Sequence, residues 1–505
     1  MATKTKKESN SIDVTLEEGN FHLAPPDGGW GYVVVLATVI MFCVTIVPTA
    51  AFGLVYGNFL KTLGDETTGT TLASSLFNTI NSFTGLIANG LLSSLTYRKV
   101  GLIGSIVFTI GAVGLIFSQN LIQLLICYGV IEGIGYGLLT PALLSAFNSY
   151  FDKKMAVMMS VCQALVIGFN MVVPQLAAFS MAYFGFRGTL IGLAILSLLT
   201  FPASASLNPV KKYLKKVYTQ DEPLDHPNNL PDRKPDNPTE KPLLSDRKKS
   251  MQFTASQRSI HHRPRHSMVS IGASFASIAN LHHKKPEEHH EENQEKNNTS
   301  FWKTFVKSMD MSLLKDLRYL NISVGLGLAY TADMTFISII PLMLKDSGFT
   351  PAVIANMMFI FFACDVVSRI LLTVISSMVS FKSRYVVLGA SVLIFMARFA
   401  FVANDTYTWK LVFSGVLGFL RCFIQTPLPL VISEEYQDKF SMAYSLFMFL
   451  NGVVSLLLGL LMSVVKSFVD DNVLVSHVLT FSYLVCVVSW AVELMFFRKK
   501  PEEVK

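Results

Sequence analysis

Hydrophobic residues run along this 505-residue chain in blocks separated by short polar stretches and one long one. Many blocks reach the ~20 residues that a helix needs to cross the ~30 Å hydrocarbon core of a bilayer. They are continuous and rich in Leu, Val, Ile, Phe and Met, without the alternation of barrel strands. A spanning chain must satisfy its own backbone, so the pattern predicts a helix bundle. Windows of apolar residues place twelve spans, roughly at 30–56, 70–95, 100–118, 121–146, 155–180 and 186–206, then roughly at 317–344, 351–378, 384–403, 409–432, 441–466 and 474–497. The expected fold is an all-α membrane protein, with twelve transmembrane helices in two six-helix bundles.

The same pattern divides the chain. Residues 1–27 form a polar N-terminal tail, 28–206 the first bundle, 317–497 the second, and 498–505 a C-terminal tail. Between the bundles, 207–316 reads as a disordered linker rich in Pro, His, Lys, Glu and Asn, too poor in apolar surface to offset the entropy of ordering. Its last part, 301–316, interleaves Phe301, Trp302, Phe305 and Val306 with Lys303 and Lys307, which predicts a short amphipathic helix on the membrane surface.

Composition agrees and excludes other classes. Charged residues are 15% of the chain against ~25% in soluble domains, and the mean hydropathy is +0.45. The segment 211–300 alone holds 28 charged residues and eight of the ten His. The six Cys all lie in apolar runs, without zinc or disulfide spacing. The paired His of the linker have no fixed geometry for a metal. No H-E-x-x-H, Walker A or G-x-S-x-G stretch occurs, so neither an enzyme nor a cofactor or metal site is expected.

The net charge of +7 is a statement about topology rather than nucleic acid. Lys and Arg concentrate in the N-terminal tail, at Arg98–Lys99, Lys153–Lys154, Lys211 to Lys216, Lys382–Arg384, Lys439 and Arg498 to Lys500. The opposite loops carry Lys61, Arg187, Lys345 and Lys410 among several Asp. Both termini and the linker are therefore expected in the cytoplasm. No cleavable leader is visible, and the first span is expected to act as an uncleaved anchor.

Charges placed in hydrocarbon are the informative residues, because each costs ~2.5–3.5 kcal/mol at a span centre on insertion scales. Asp365 and Arg369 lie mid-span at i, i+4, on one helix face. Arg presents a planar fork that suits a carboxylate, so Asp365 can occupy it until a solute acid competes and frees Asp365 for a proton. A permanent neutralising ion pair is the alternative. Glu132 sits beside a small-residue stripe, Gly129, Gly133 and Gly137, and should face the bundle, either as a second titratable group or as a structural partner. Asp333 and Arg421 are central to their spans and are candidates for the solute path or for a structural pair. Arg398 lies nearer a span end, where snorkelling to the interface, a structural pair and the solute path are all open to it.

Pro25-Pro26-Asp27-Gly28-Gly29-Trp30-Gly31, at the start of span 1, resembles the signature of the monocarboxylate transporter family within the major facilitator superfamily. Tyr150-Phe151-Asp152-Lys153-Lys154 resembles that family's Tyr-Phe-x-Lys-Arg element, and Gly185-Phe186-Arg187-Gly188 its Gly-Trp-Arg-Gly turn. The Asp365–Arg369 pair matches the pair this family uses for proton and carboxylate. In the first motif Asp27 is expected to cap the helix, and Trp30 suits the membrane interface. The resemblance implies a carrier that moves small organic carboxylates across the plasma membrane by alternating access, either as a uniporter or as a proton symporter, with a single-span glycoprotein chaperone as a known kind of partner. Two departures matter. The Lys that lactate carriers place after the span 1 Pro is absent, since Pro48 is followed by Thr49, and Glu132 replaces a Gly. The cavity is then less cationic, which points away from a lactate-like anion and toward a zwitterionic or larger acid. Arg369, Asp365, Glu132, Asp333, Arg421 and Thr49 are the expected substrate-site residues. A second reading, a non-transporting sensor or scaffold with the linker as output, stays open on sequence alone.

Overall fold

A computed structural model describes residues 21–64, 66–151, 154–210, 213, 215–218, 311–378, 382–436, 439–468 and 472–496. Pro25-Pro26 precedes a left-handed Gly29 (φ 59°), and α1 starts directly after it, over Trp30–Ala50. Pro48 removes a donor from the last turn of α1, and the chain restarts after Ala51 as α2, Phe52–Thr62. The first apolar block is thus one broken helix, longer than the 30–56 expected. α3 (Glu66–Ser94) and α4 (Tyr97–Ile116) follow. The fourth block begins with α5 (Leu121–Leu124), opens into π-helical turns over Leu125–Glu132, and closes as α6 (Gly133–Tyr150).

α7 (Met155–Ser197) carries the fifth and sixth expected spans in one element. They part at Gly185, whose φ of 65° and ψ of −173° only glycine adopts without strain. A short α8, Thr200–Ala205, ends the first bundle. The second bundle comprises α9 (Leu317–Asp346), α10 (Pro351–Met378), α11 (Ser383–Val402), α12 (Tyr407–Gln425), α13 (Leu428–Glu435), α14 (Phe440–Phe468) and α15 (Asn472–Phe496). Ten helical stretches among the described residues are long and apolar enough to span a membrane. Dividing α7 at Gly185 and counting α3, whose Ser, Thr and Asn content lowers its hydropathy, would bring this number to the expected twelve.

The outward surface is apolar. Ile110, Leu165, Phe179, Leu457, Val485 and Met495 are all exposed, a face that lipid covers rather than water. α3 packs against α14, α7 against α10, and α9 against α2 and α3, so these helices form the seam between the bundles.

One short element lies outside the helical bundles. Phe21–Ala24 (β1) and Lys215–Tyr218 (β2) pair antiparallel, Phe21 opposite Tyr218 and Ala24 opposite Lys215. The ribbon is a unit separate from the helical body. Four-residue strands inside charged segments are too short for a period-two pattern to stand out. They fall in the segments read as a polar tail and a disordered linker. Most of that linker, with its His pairs and most of the amphipathic stretch 301–316, lies outside the described residues. The described end of it, Met311–Lys315, is a 3₁₀ turn, and Asp316 caps α9 by accepting from the Arg318 N–H at 2.9 Å.

Arg398 does not snorkel. It is 1% exposed on α11, donating to the Ala332 carbonyl at 3.2 Å, and its guanidinium carbon lies 3.8 Å from the Phe336 ring centre. The aromatic faces offset part of the cost of burying this charge. Near the opposite end of the bundle, Arg384 forks onto Glu493 at 2.8 and 2.9 Å, with its guanidinium over the Trp490 ring.

Candidate functional site

Both bundles line a cavity of ≈ 380 Å³. Its walls come from α1, α3, α6 and α7 on one side and from α9, α10, α12, α13 and α14 on the other. Toward the Lys345 end it is closed. The Ser74 hydroxyl donates to Ser338 at 3.1 Å, Ser455 donates to the Ser75 carbonyl at 3.2 Å, and Lys345 meets Glu66 at 3.0 Å and Asn58 at 2.8 Å. Gly53 allows this closure, because a Cβ there would lie 2.5 Å from the Ser338 carbonyl.

Four of the charges flagged by sequence form a chain of alternating sign, three of them at the wall of this cavity. Arg369 donates through Nε to Asp365 Oδ1 and through Nη2 to Asp365 Oδ2, both at 3.2 Å, and through Nη1 to Thr426 Oγ1 at 3.3 Å. The i, i+4 spacing on α10 gives the first two bonds, as the sequence predicts. Arg421, on α12, donates through Nη1 to Asp365 Oδ2 at 3.2 Å and through Nε to Asp333 Oδ2 at 2.9 Å. Gln425, one helical turn beyond Arg421, donates to the same Asp333 oxygen at 2.8 Å. The chain Asp333–Arg421–Asp365–Arg369 therefore joins α9, α12 and α10, and its formal charge sums to zero. Side-chain exposure is 1% for Asp365 and 5% for Asp333, against 12% for each Arg. The cations thus present the accessible surface, with the carboxylates behind them.

Arg369, Asp365, Arg421 and Thr49 line the cavity. Asp333 does not reach its wall and acts on it through Arg421 and Gln425. Thr49 is 3.3 Å from the Tyr128 hydroxyl. Glu132 stands elsewhere. It is buried in the first bundle beside Pro48, Tyr56 and Leu190, in a void of about 10 Å³, and its Oε2 has no partner. The glycine stripe brings α3 close, since Cβ atoms on Gly129 and Gly137 would lie 2.8 Å from Leu76 and 2.7 Å from Thr84, while Glu132 itself meets α4, where a Cβ on Gly111 would lie 2.7 Å from its Cγ. The bundle-facing expectation holds, but the group faces the interior of one bundle instead of the cavity between two.

The two family-like motifs dock on each other at the far end. The Asp27 N–H donates to the Tyr150 carbonyl at 3.1 Å, and Asp27 Oδ1 accepts from the Lys154 N–H at 3.4 Å. Asp27 therefore serves the start of α7, and α1 receives no side-chain cap. Gly31 sits against Phe151, where a Cβ would come within 2.8 Å of the ring. Trp30 donates to the Ser206 carbonyl at 2.9 Å and stacks on Tyr213. Gly28 lies beside the Tyr32 ring, and Gly29 supplies the left-handed turn. Lys153 lies outside the described residues.

The sequence reading missed Gln425 and Thr426, which follow Arg421 by four and five residues. It also missed the amides Asn78, Asn81, Gln163 and Asn170, which line the cavity from the first bundle. Their signal was present: an amide in a spanning helix needs a partner as surely as a charge does.

Comparison with known proteins gives a consistent picture. The sequence profile of the Major Facilitator Superfamily matches residues 33–460. Monocarboxylate transporter 9 of Mus musculus is 22% identical over 454 residues, 85% of each chain. Monocarboxylate transporter 9 of Gallus gallus is 30% identical over 130 residues, 26% of each chain, and monocarboxylate transporter 13 of Rattus norvegicus is 24% identical over 186 residues, 37% of this chain and 44% of that one. The match thus spans well under two thirds of the chicken and rat proteins. A crystal structure of the nucleoside transporter NupG superposes with a TM-score of 0.60 at 13% identity, covering 93% of this chain and all of that one. With its apolar exterior, its two bundles and its central cavity, this chain is a multi-pass transporter-type membrane protein and belongs to the major facilitator superfamily.

Proposed function

We propose that the chain carries organic monocarboxylates across the plasma membrane by alternating access, with Arg369 as the group that holds the substrate carboxylate. The observation that carries this reading is the balanced chain Asp333–Arg421–Asp365–Arg369 at the wall of a cavity between two bundles. A solute carboxylate that takes Arg369 adds one negative charge to a neutral cluster in low dielectric. A proton on Asp365, the acid displaced from the Arg369 fork, restores neutrality. Charge balance thus favours symport of acid and proton. The relatives' names, monocarboxylate transporters, agree with the substrate class. With one end of the cavity closed by Ser74, Ser455 and Lys345, the described form fits one side of a rocking cycle.

The test is uptake of labelled monocarboxylates into proteoliposomes under an imposed pH gradient. Arg369→Ala is expected to lower saturable uptake by about a hundredfold or more, because truncating one side of a buried charge pair costs ~2–5 kcal/mol. Arg369→Lys should recover little, since a point charge replaces a fork. Asp365→Asn should uncouple the remaining transport from pH. Wild-type uptake by Arg369→Ala at equal protein level would reduce the cluster to structure.

A further inference from the structure

All the charges at the cavity belong to one bundle. Arg369, Asp365 and Arg421 stand on α10 and α12, whereas among the described residues no Asp, Glu, Lys or Arg of the first bundle reaches the wall. That bundle contributes neutral amides instead, Asn78, Asn81, Gln163 and Asn170. Two buried amides at this cavity have a side-chain oxygen with no donor: Asn170 on α7, which is 8% exposed, and Asn451 on α14, which is 3% exposed. Leaving a buried acceptor unpaired costs more than an ordinary hydrogen bond returns, so each such oxygen asks what normally supplies its proton. Both residues line the same cavity as Arg369, and since the two ends of an amide are interchangeable in a structure of this kind, a half-turn of either side chain presents its oxygen there.

Size and flanking chemistry narrow the answer. At ≈ 380 Å³ the cavity falls in the range of ~300–1,000 Å³ that suits drug-sized ligands. Phe77 and Tyr136 of the first bundle and Tyr330 and Phe362 of the second add aromatic wall. A three-carbon acid docked on Arg369 fills little of this volume, and the 2-hydroxyl of a lactate-like acid, next to its carboxylate, stays at the charged bundle. A distal ammonium is also a poor fit. No carboxylate on the first bundle's wall compensates it, and Arg369 and Arg421 share its sign.

Building on the carboxylate-carrier reading, we infer that the transported acid is elongated. Its carboxylate lies at Arg369, its body is apolar, and a neutral donor at its far end, a hydroxyl or amide N–H, is accepted by Asn170. Such a ligand ties one bundle to the other, which gives it the differential affinity for a closed form that a conformational cycle requires. A short acid bound to one bundle lacks that leverage.

The experiment compares four probes on the purified full-length chain in proteoliposomes: para-hydroxyphenylpropanoate, phenylpropanoate, the para-aminomethyl analogue and lactate. The expected order of affinity puts the hydroxyl compound about tenfold ahead of phenylpropanoate, with the aminomethyl compound and lactate below both. In Asn170→Leu the ratio of the hydroxyl compound to phenylpropanoate should fall from about ten to about one. Asn451→Leu should lower the same ratio by a lesser factor. The ratio is read within each variant, so reduced protein yield does not mimic it. A wild-type ratio near one, a ratio that survives Asn170→Leu, or lactate binding as tightly as the aromatic acids would each overturn the inference while leaving a carboxylate carrier intact. If none of the acids competes and Arg369→Ala behaves as wild type, the carrier reading falls and this inference with it.

Discussion

Truncating Asp333 is the sharpest probe of the charge chain, because Asp333 touches the cavity only through other residues. Arg421 Nε lies 2.9 Å from Asp333 Oδ2, and both side chains are nearly buried. At an effective dielectric of about 20, unit charges at that separation attract by roughly 5–6 kcal/mol, and measured losses on removing one member of a buried pair are ~3–5 kcal/mol. Arg421 keeps a second acceptor, Asp365 Oδ2 at 3.2 Å, so the lower figure applies. Asp333→Ala is expected to cost about 3 kcal/mol. Adding Arg421→Ala removes the stranded cation, and Asp365 retains both Arg369 bonds. The double variant should therefore be more stable than the sum of the singles by about 2 kcal/mol or more. Detergent-solubilised protein unfolded by heat or denaturant, followed by tryptophan fluorescence, measures the cycle. Uptake should stay low in the double variant, because Arg421 no longer holds Asp365 in place. Strictly additive losses would show that the contact carries no coupling, and the chain of alternating charges would fail as an energetic unit.

Other expectations follow from packing and from the loops. Gly31→Ala should destabilise by ~1–3 kcal/mol through its clash with Phe151, and Phe151→Leu should recover most of that in a melting assay. Gly418→Ala is expected to be worse, with loss of folded protein on size-exclusion chromatography, because its Cβ would meet the Phe361 backbone, which cannot turn aside. In the loop after α11, the Ser347 hydroxyl and then Lys410 hold the Asp405 carboxyl below its ordinary range. A depressed acid stabilises above its unfolded pKa of ~3.9 and loses that contribution as pH falls through the folded value. The stability deficit of Ser347→Ala should therefore be present at neutral pH and shrink below about pH 4, as read by melting across the acid range.

How much of this was legible in sequence depended on whether the signal was local. The apolar blocks were, because a bilayer demands about twenty apolar residues whatever the neighbours do. The Asp365–Arg369 fork was too, because helical spacing alone makes it. The link from Arg421 to both Asp333 and Asp365 was not, since it joins three helices whose rotation is set by packing. Glu132 shows the same limit. Its glycine stripe correctly placed it against other helices, but a stripe does not say which interior it faces. The motif around Asp27 and the one around Tyr150 could each be recognised, yet only the fold brings the Asp27 carboxylate to the Lys154 N–H and Gly31 to Phe151. Arg398 was open in the same way. Its place near a span end allowed water as well as a buried partner, and Phe336 and Tyr483 supplied ring faces that a sequence does not advertise.

The two kinds of polar contact are also distributed in a way that bears on motion. The strong, charged ones stay within the second bundle: Asp333, Arg421, Asp365 and Arg369 move together whatever the first bundle does. The seam is made mostly of neutral contacts, such as Ser74 to Ser338, Thr79 to the Gly452 carbonyl at 3.1 Å, Ser455 to the Ser75 carbonyl, and Asn451 to Ser82 at 3.4 Å. Each is worth a net ~0.5–1.5 kcal/mol, and each leaves only a neutral group when it parts. Among the described residues the one ion pair across the seam, Lys345–Glu66, lies at its outermost edge, where Lys345 keeps 31% of its side-chain surface exposed and both partners can pass to water. Separating the bundles at that end therefore strands no charge in hydrocarbon. The difference between closed and open forms is then small enough for a bound acid to tip, since moving an equilibrium from 1:99 to 99:1 takes only ~5.5 kcal/mol of differential binding.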